Sequence, residues 1–582
     1  MIQTQEKVLI AISVVLSVIV AVLLWALLAP GESSTTDGLG VEQNIEEEAE
    51  KGAVVDFEIP AGPALLDEVQ QDAPSYLYLF THTEDPFNHD LSEERYWRVG
   101  EMIRDAARAY PAAELTWTIE FQGSDAKTIA DRNEETGLVE YLLELKDEGL
   151  VEFGYHAHHD PTYQNRPQNR LPSNPTYEEA YDALWSWITC VKDVNRGGCI
   201  EERGGGLEAI YETFGQVEIV TGLGLGEGTQ IERSAGSQAV RELLPGRYLG
   251  FGFPDHGAVI KDPAYAGARD ALLEILTPTH ETSSGTLWMD NAIRINDAAS
   301  LEGIDAEPLK EGSASYEREL KELDGTRSIV INAGIASKYL YTASGTSPTK
   351  WGYVNADSPE LPDELVLSPK EQEKAYQLTK QGLEYLAQQV NEDPDALQFV
   401  SSNDVVNLFM SADYVEVDEE ELYQMALWVL NNWDGAPPSW VYDGEDFYSL
   451  ADTFALLARG LNGEFEQTAV VSEVYGPWSL SQIESEATTV SVDELRTLAT
   501  TDLYTDWRMK EQYEIGDVAL TSAQVLYAWS YLFAANQAQV DITHVPIPEM
   551  QSAPETYELL ETLGCHDCLD TTWSLKPARF QD

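Results

Sequence analysis

Three of the chain's nine histidines fall within four positions of the segment Gly154-Tyr155-His156-Ala157-His158-His159-Asp160. An imidazole in or near a core needs a polar partner, so packing explains this clustering poorly. Alternate residues at a strand end, by contrast, can turn two imidazoles toward one ion. A hydrogen-bonded surface turn is the other explanation. Upstream, Thr81-His82-Thr83-Glu84-Asp85-Pro86 follows the apolar run Tyr76-Leu77-Tyr78-Leu79-Phe80. Its acidic groups therefore stand at a strand's carboxyl end, where parallel α/β architectures build their sites. One carboxylate can join two histidines on a divalent transition metal, and a second, held off the metal, can act as general base on a bound water. Taken alone, the acidic segment also reads as a polar loop ending in Asp-Pro.

The elements that must position these groups follow from patterning. Strands are expected over Leu115 to Phe121, Val151 to His158, Arg247 to Phe253, Thr286 to Ile293, Ser328 to Ala333 and Leu397 to Ser401. Helices are expected near Ala126 to Glu148, Tyr177 to Lys192 and Pro369 to Val390. Alternation of this kind marks an α/β sheet or barrel covered by helices, and residues 74–412 are of a size that suits one elaborated barrel.

Composition sets the surroundings. The chain carries 101 acidic and 35 basic residues, a formal net charge of −66 over 582 residues. Self-repulsion on that scale works against the compact state unless salt screens it, which points to a high-salt surface, as in extremely halophilic organisms. It also leaves no basic stripe to meet phosphate, so nucleic acid is excluded as a partner.

The uncharged run from Val8 to Ala29 is about as long as the ~20 residues a membrane-crossing helix needs. Lys7 precedes it, and Asp37, Glu42 and Glu46 to Glu48 follow. Residues 1–30 are therefore expected to form a transmembrane signal anchor, with a cytoplasmic N-terminus and the bulk extracellular. A cleaved signal peptide is the rival, though Leu27-Leu28-Ala29 before Pro30 is a poor cleavage site. Residues 31–73 read as an acidic flexible linker. The four cysteines pair as near neighbours, Cys190–Cys199 and Cys565–Cys568, and in an oxidising compartment would form disulfides. Cys565-His566-Asp567-Cys568 could instead be a redox or zinc half-site, but a second Cys/His pair at metal spacing is missing.

The block from about 75 to 412 resembles the polysaccharide deacetylases, the NodB-like glycoside hydrolase/deacetylase (β/α) barrels, a likeness carried by short motifs. Thr83-Glu84-Asp85 resembles that family's acidic pair, and Gly154-Tyr155-His156-Ala157-His158-His159 its metal-binding histidines. Leu397 to Val406 is similar to its last strand and helix start. The resemblance implies Glu84 as base and Asp85, His156 and one of His158 and His159 as ligands to a divalent metal, zinc or similar. Strand alternation favours His158. The family's arginine-proline motif is not evident, and Phe251-Gly252-Phe253-Pro254-Asp255-His256 stands in its place. The late histidine that should act as acid is absent from Ile329 to Gly334, so either His256 or His280 substitutes or the acid step is lost. Trp288 could stack on a sugar, or pack in a core, and Asp290 could orient the substrate.

Gly222 to Gly228 fails the dinucleotide spacing and reads as a flexible loop, and no serine-nucleophile elbow occurs. From 413 to 550 the pattern turns mainly helical, with an internal repeat of period about 72. Val417-Asp418-Glu419-Glu420-Glu421-Leu422 answers Val490-Ser491-Val492-Asp493-Glu494-Leu495. Tyr448 to Phe454 answers Leu520 to Leu526. These units resemble archaeal pseudomurein-binding-type cell-wall repeats through the helix, the Gly444 or Gly516 turn and the following helix start. The likeness implies a cell-wall or surface-layer glycan as partner, and a plain helical spacer is the alternative. Residues 551–582 form a tail with a cysteine pair.

The expectation is therefore a membrane-anchored, metal-dependent deacetylase-like hydrolase of an envelope or exogenous polysaccharide. A non-catalytic glycan- or surface-layer-binding protein on the same fold is the alternative. A third option, a glycosidase, would need two carboxylates flanking the sugar bond.

Overall fold

The computed structural model describes residues 57–65, 74–83, 89–156, 176–179, 181, 206–215, 219–221, 247–251, 273–278, 283–289, 292–294, 330–335, 340, 366–409, 414–463, 468–470, 475–477, 485–505, 508–554 and 572–578. All of them belong to one compact unit, Val54–Asp582.

The apolar run before the acidic motif forms β1 (Ser75–Thr83), and helix α1 (His89–Ala109) follows. Next come β2 (Trp117–Phe121), α2 (Gly123–Thr136), α3 (Leu138–Asp147) and β3 (Val151–His156). The expected single helix Ala126 to Glu148 is thus two helices, divided at Gly137, whose N–H caps α2 at the Asn133 carbonyl. The chain continues through α4 (Gly206–Phe214), β4 (Ile219–Thr221), β5 (Arg247–Phe251), β6 (Leu273–Pro278), β7 (Ser283–Met289), β8 (Ala292–Arg294) and β9 (Val330–Gly334). It then forms α5 (Pro369–Glu392), β10 (Leu397–Val400) and α6 (Ser402–Phe409).

β5, β4, β3, β2, β1, β9 and β8 lie side by side in that order, all parallel to their neighbours, with β7 parallel to β5 and β10 parallel to β1. From β1 to β5 each new strand is placed beside the last, and β9 returns to the other side of β1, the parallel arrangement of an α/β layer with helical crossovers. Among the described residues the pairings follow an open path, so what is described is a parallel sheet with helices, and a closing pair of the expected barrel is not among them. β6 is antiparallel to β7.

The helix-facing side of β1 to β3 presents Leu77, Leu79, Ile119, Phe121, Phe153 and Tyr155 to a core completed by α1 through α5. Each of these side chains is essentially excluded from water, and burial of such a residue is worth about 1.5–3 kcal/mol.

One expectation is overturned. Among the described residues no helix is long and apolar enough to cross a membrane. The transmembrane helix and the single-pass membrane localisation drawn from it are therefore not retained, and Val8 to Ala29 lies outside the described residues. α1 and α5 have the length for a span, but each carries charged residues along a whole face, as Glu94, Arg98, Glu101 and Asp105 do on α1. Placing such charges in hydrocarbon would cost several kcal/mol (~2.5–3.5 for each at the centre of a span).

Part of the segment expected to be a flexible linker is packed. Phe57 is buried with its ring edge-on to Tyr531 at 5.4 Å, and its N–H donates to the Tyr531 hydroxyl at 3.2 Å. Asn431 Nδ2 donates to the Pro60 carbonyl at 2.9 Å.

The remaining chain starts with β11 (Tyr414–Glu416) and α7 (Glu419–Asn431), then the hairpin β12 (Val441–Tyr442) and β13 (Phe447–Tyr448), then α8 (Leu450–Leu461) and β14 (Thr468–Val470). A second unit has β15 (Thr488–Ser491), α9 (Val492–Ala499), β16 (Tyr504–Thr505) with β17 (Arg508–Met509), the hairpin β18 (Gln512–Ile515) and β19 (Val518–Thr521), then α10 (Ser522–Gln537) and β20 (His544–Ile547). Each unit is thus helix, β-hairpin, helix, where the sequence suggested only a turn. α10 is apolar nearly all round because it is the central helix of a second core. The last strand, β21 (Leu575–Pro577), returns to the large sheet antiparallel to β6.

Candidate functional site

Alternation along β1 puts Tyr78, Phe80 and His82 on the face opposite Leu77 and Leu79. Register carries that face across the sheet: His82 opposes Glu120 on β2, and Glu120 opposes Gly154 on β3. A buried row of polar groups results. His82 Nε2 meets Glu120 Oε2 at 2.7 Å, and the Tyr78 hydroxyl donates to Glu120 Oε1 at 2.8 Å. Glu120 is fully buried, whereas the His82 side chain is 27% exposed, so the pair reaches the surface through the imidazole.

One row earlier Glu152, 4% exposed, takes three donors on Oε1. These are the Thr118 hydroxyl at 2.5 Å, the Ser402 N–H at 2.5 Å and the Ser402 hydroxyl. That oxygen ties β2, β3 and the start of α6 together. Burial pushes the Tyr78 phenol well above its usual range, and the negative charges of Glu120 and Glu152 push it further. Phe80 packs between neighbours of its own face, stacked on Tyr78 at 5.6 Å and tilted on His82 at 4.9 Å, which fixes the imidazole ring.

Glu84, Asp85, His158, His159, His256, His280, Asp290 and all four cysteines lie outside the described residues. β1 is described to Thr83, one residue short of Glu84. His156 closes β3 and pairs with Thr221, on the same face as Glu120 and Glu152. The alternation that pointed to His158 is described no further than His156. Trp288 pairs with Gly250, one place out of step with the row His156, Thr221, Leu249 and Leu287. Its register therefore differs from that of a residue lining the His156 face. β6, which precedes His280, runs against β7, so its carboxyl end is at the opposite edge of the sheet from the carboxyl ends of the parallel strands. Among the described residues no group of three His, Cys, Asp or Glu side chains is placed to hold a metal.

Sequence reasoning missed His82, Glu120, Glu152 and Tyr78 as a unit. The signal was present: Trp117-Thr118-Ile119-Glu120-Phe121 and Val151-Glu152-Phe153 each put a carboxylate inside an apolar strand, where an unpaired charge is not tolerated.

No protein-family model matches the chain, and no curated protein matches its sequence. Among solved structures, a 4-alpha-glucanotransferase from Thermococcus litoralis overlaps 57% of this chain and 38% of its own, at 10% identity and a TM-score of 0.28. An alpha-mannosidase from Enterococcus faecalis overlaps 68% of this chain and 36% of its own, at 11% identity and a TM-score of 0.24. The chain thus spans well under half the length of either, and overlaps this slight carry neither fold nor function across.

Proposed function

We propose that the carboxyl end of the parallel sheet, around β1 to β3, is the site of a metal-dependent hydrolase that removes acyl groups from a polysaccharide. The observation that carries the reading is register. Residue 84 stands two past His82 and residue 156 two past Gly154, and His82 and Gly154 flank Glu120 in one row. The described ends of β1 and β3, from which both motifs continue in sequence, therefore lie at the same edge of the sheet. The polysaccharide itself comes from the motif resemblance alone.

The donor set suits a divalent transition metal: the Asp85 carboxylate, the His156 imidazole and that of His158 or His159. β1 and β3 flank β2, so their ends stand two strand spacings, about 10 Å, apart. A carboxylate and an imidazole closing on one ion can cover that span. When bound, such an ion polarises an acyl carbonyl and lowers the pKa of a water. Glu84 would take that water's proton, and Glu120 and Tyr78 hold His82, two residues before it in sequence, in place. Glu120 and Glu152 are both turned inward and hydrogen-bonded, which suits holding the site and does not suit flanking a glycosidic bond.

The full chain, purified in high salt, should contain about one divalent ion that His156→Ala loses. It should release acetate from N-acetylglucosamine oligomers or acetylated xylan, and Glu84→Gln should lower that release by about 10²-fold or more. Ion binding without release from any acetylated glycan would leave a binding protein.

A further inference from the structure

Hydrolysis of an amide needs a proton for the departing nitrogen, and the segment that should carry this acid, around β9 (Val330–Gly334), has no histidine. His280 follows a strand whose carboxyl end is at the wrong edge of the sheet. One described imidazole does stand at the right edge. We propose that His82 is the general acid of this site and that Glu120 is its positioning residue; this inference rests on the hydrolase reading above.

Three observations converge on His82. Its Nε2 lies 2.7 Å from a carboxylate oxygen that is wholly buried, so the charge of an imidazolium would be balanced without competition from solvent at that oxygen. The other oxygen of the same carboxylate is held by the Tyr78 hydroxyl, which stops the carboxylate from turning away. The ring is packed on Phe80 yet 27% exposed, so it is rigid and still reachable by substrate. The charged or titratable groups on this face of the adjoining strands are Tyr78 on β1, Glu120 on β2 and Glu152 on β3, with His156 at the end of β3.

The proton balance closes with this assignment. Glu84 takes a proton from water as its oxygen adds to the acyl carbon. The C–N bond of the tetrahedral adduct then breaks, its electron pair goes to nitrogen, and nitrogen takes the proton from Nδ1 of the His82 imidazolium, Nε2 being committed to Glu120. Acetate and the free amine leave, and the proton on Glu84 passes to His82 to restore both groups. No oxidant, reductant or further reactant enters.

The test compares two acyl donors, an N-acetylglucosamine oligomer and 4-nitrophenyl acetate, whose leaving group needs little or no protonation. In the full chain, His82→Gln should lower kcat/KM for the amide by about 10²-fold or more, and its loss on the aryl ester should be at least tenfold smaller. Glu120→Gln should show the same unequal loss to a lesser degree. The amide-to-ester ratio is read only on folded protein, so partial unfolding of a variant does not distort it. Equal losses on the two donors, or no loss on the amide, would overturn the assignment. Acetate release that Glu84→Gln abolishes but His82→Gln leaves unchanged would overturn it while the hydrolase reading stands. Should the parent chain release no acetate from either donor, both readings fall together.

Discussion

Glu152 shows what a buried carboxylate does here before any chemistry begins. Its Oε1 accepts from Thr118, from the Ser402 backbone and from the Ser402 hydroxyl, and so joins two strands to the helix that follows β10. In Glu152→Ala those donors keep their burial and lose their acceptor. Unsatisfied donors cost about 1–3 kcal/mol each, so a loss of roughly 3 kcal/mol or more is expected, with Glu152→Gln losing less. The urea midpoint of each variant measures this, and equal midpoints for parent and Ala variant would show the network to be idle. Buried phenols set a second expectation. Tyr78 and Tyr96 are both raised well above the usual ~10, in each case chiefly by burial. A raised folded-state value means the folded protein keeps a proton that the unfolded chain releases above about pH 10. The stabilisation is therefore complete below that pH and is lost as pH climbs toward the folded values. Base titration should give an early rise in tyrosinate absorbance from exposed phenols and a second, cooperative rise coincident with loss of helical circular dichroism. A complete rise with the helices intact would contradict the burial of these rings. At this scale the His156 cluster and the acidic pair stood out because their residue types are rare and closely spaced, and beyond the backbone of His156 they lie outside the described residues. The His82 and Glu120 pairing was not legible, since register between β1 and β2 brings together residues far apart in sequence.

Elements carry the clearest internal comparison, because the two C-terminal units repeat the same local devices. Asp418 and Ser491 each begin a helix through a capping box, with Glu421 and Glu494 closing it. Ser449 and Thr521 cap the second helix of each unit. The turns between them hold Gly444 at φ +114° and Gly516 at φ +60°. Ser491→Ala should cost about 1 kcal/mol. The two glycines should differ, since +60° is a left-handed conformation that costs another residue about 1–2 kcal/mol. The +114° of Gly444 lies outside even that basin and should cost Ala about 3 kcal/mol. On backbone strain alone Gly444→Ala should lower the thermal midpoint more than Gly516→Ala; a Cβ at 516 would also meet Glu494 Oε1, and the reverse order would mean that this contact outweighs the strain at 444. The repeat was readable because caps and helix starts recur in the residue types themselves. The hairpins were not, because β12 and β13 are two residues each and leave too little alternation to see. The same limit applies to β4, three residues long, and to the division of the expected Ala126 to Glu148 helix at Gly137.

For the whole molecule the governing quantity is a net charge of −66 on a fold whose cores are ordinary in kind. Such a chain is held compact against its own field. Raising ionic strength from roughly 0.1 to 1 M shortens the Debye length from about 10 to about 3 Å and removes most repulsion between surface carboxylates. Local ion pairs run the other way: Arg104, itself buried, is shared by Glu101, Glu144 and Glu148, whose carboxylates reach solvent, and a pair at the surface is worth about 1 kcal/mol or less. Salt weakens those few contacts slightly and relieves the charge of the whole, so repulsion decides the sign. The thermal midpoint should rise by more than about 4 °C over that range of sodium chloride, a change of about 1 kcal/mol or more for domains of this size. The rise should flatten once the Debye length falls below the spacing of neighbouring carboxylates. Potassium chloride should act as sodium chloride does, because screening depends on ionic strength and not on the identity of the cation. A midpoint that falls with salt would mean that the Arg104 cluster and its like outweigh the net charge, and would remove the physical basis for reading this surface as one built for brine.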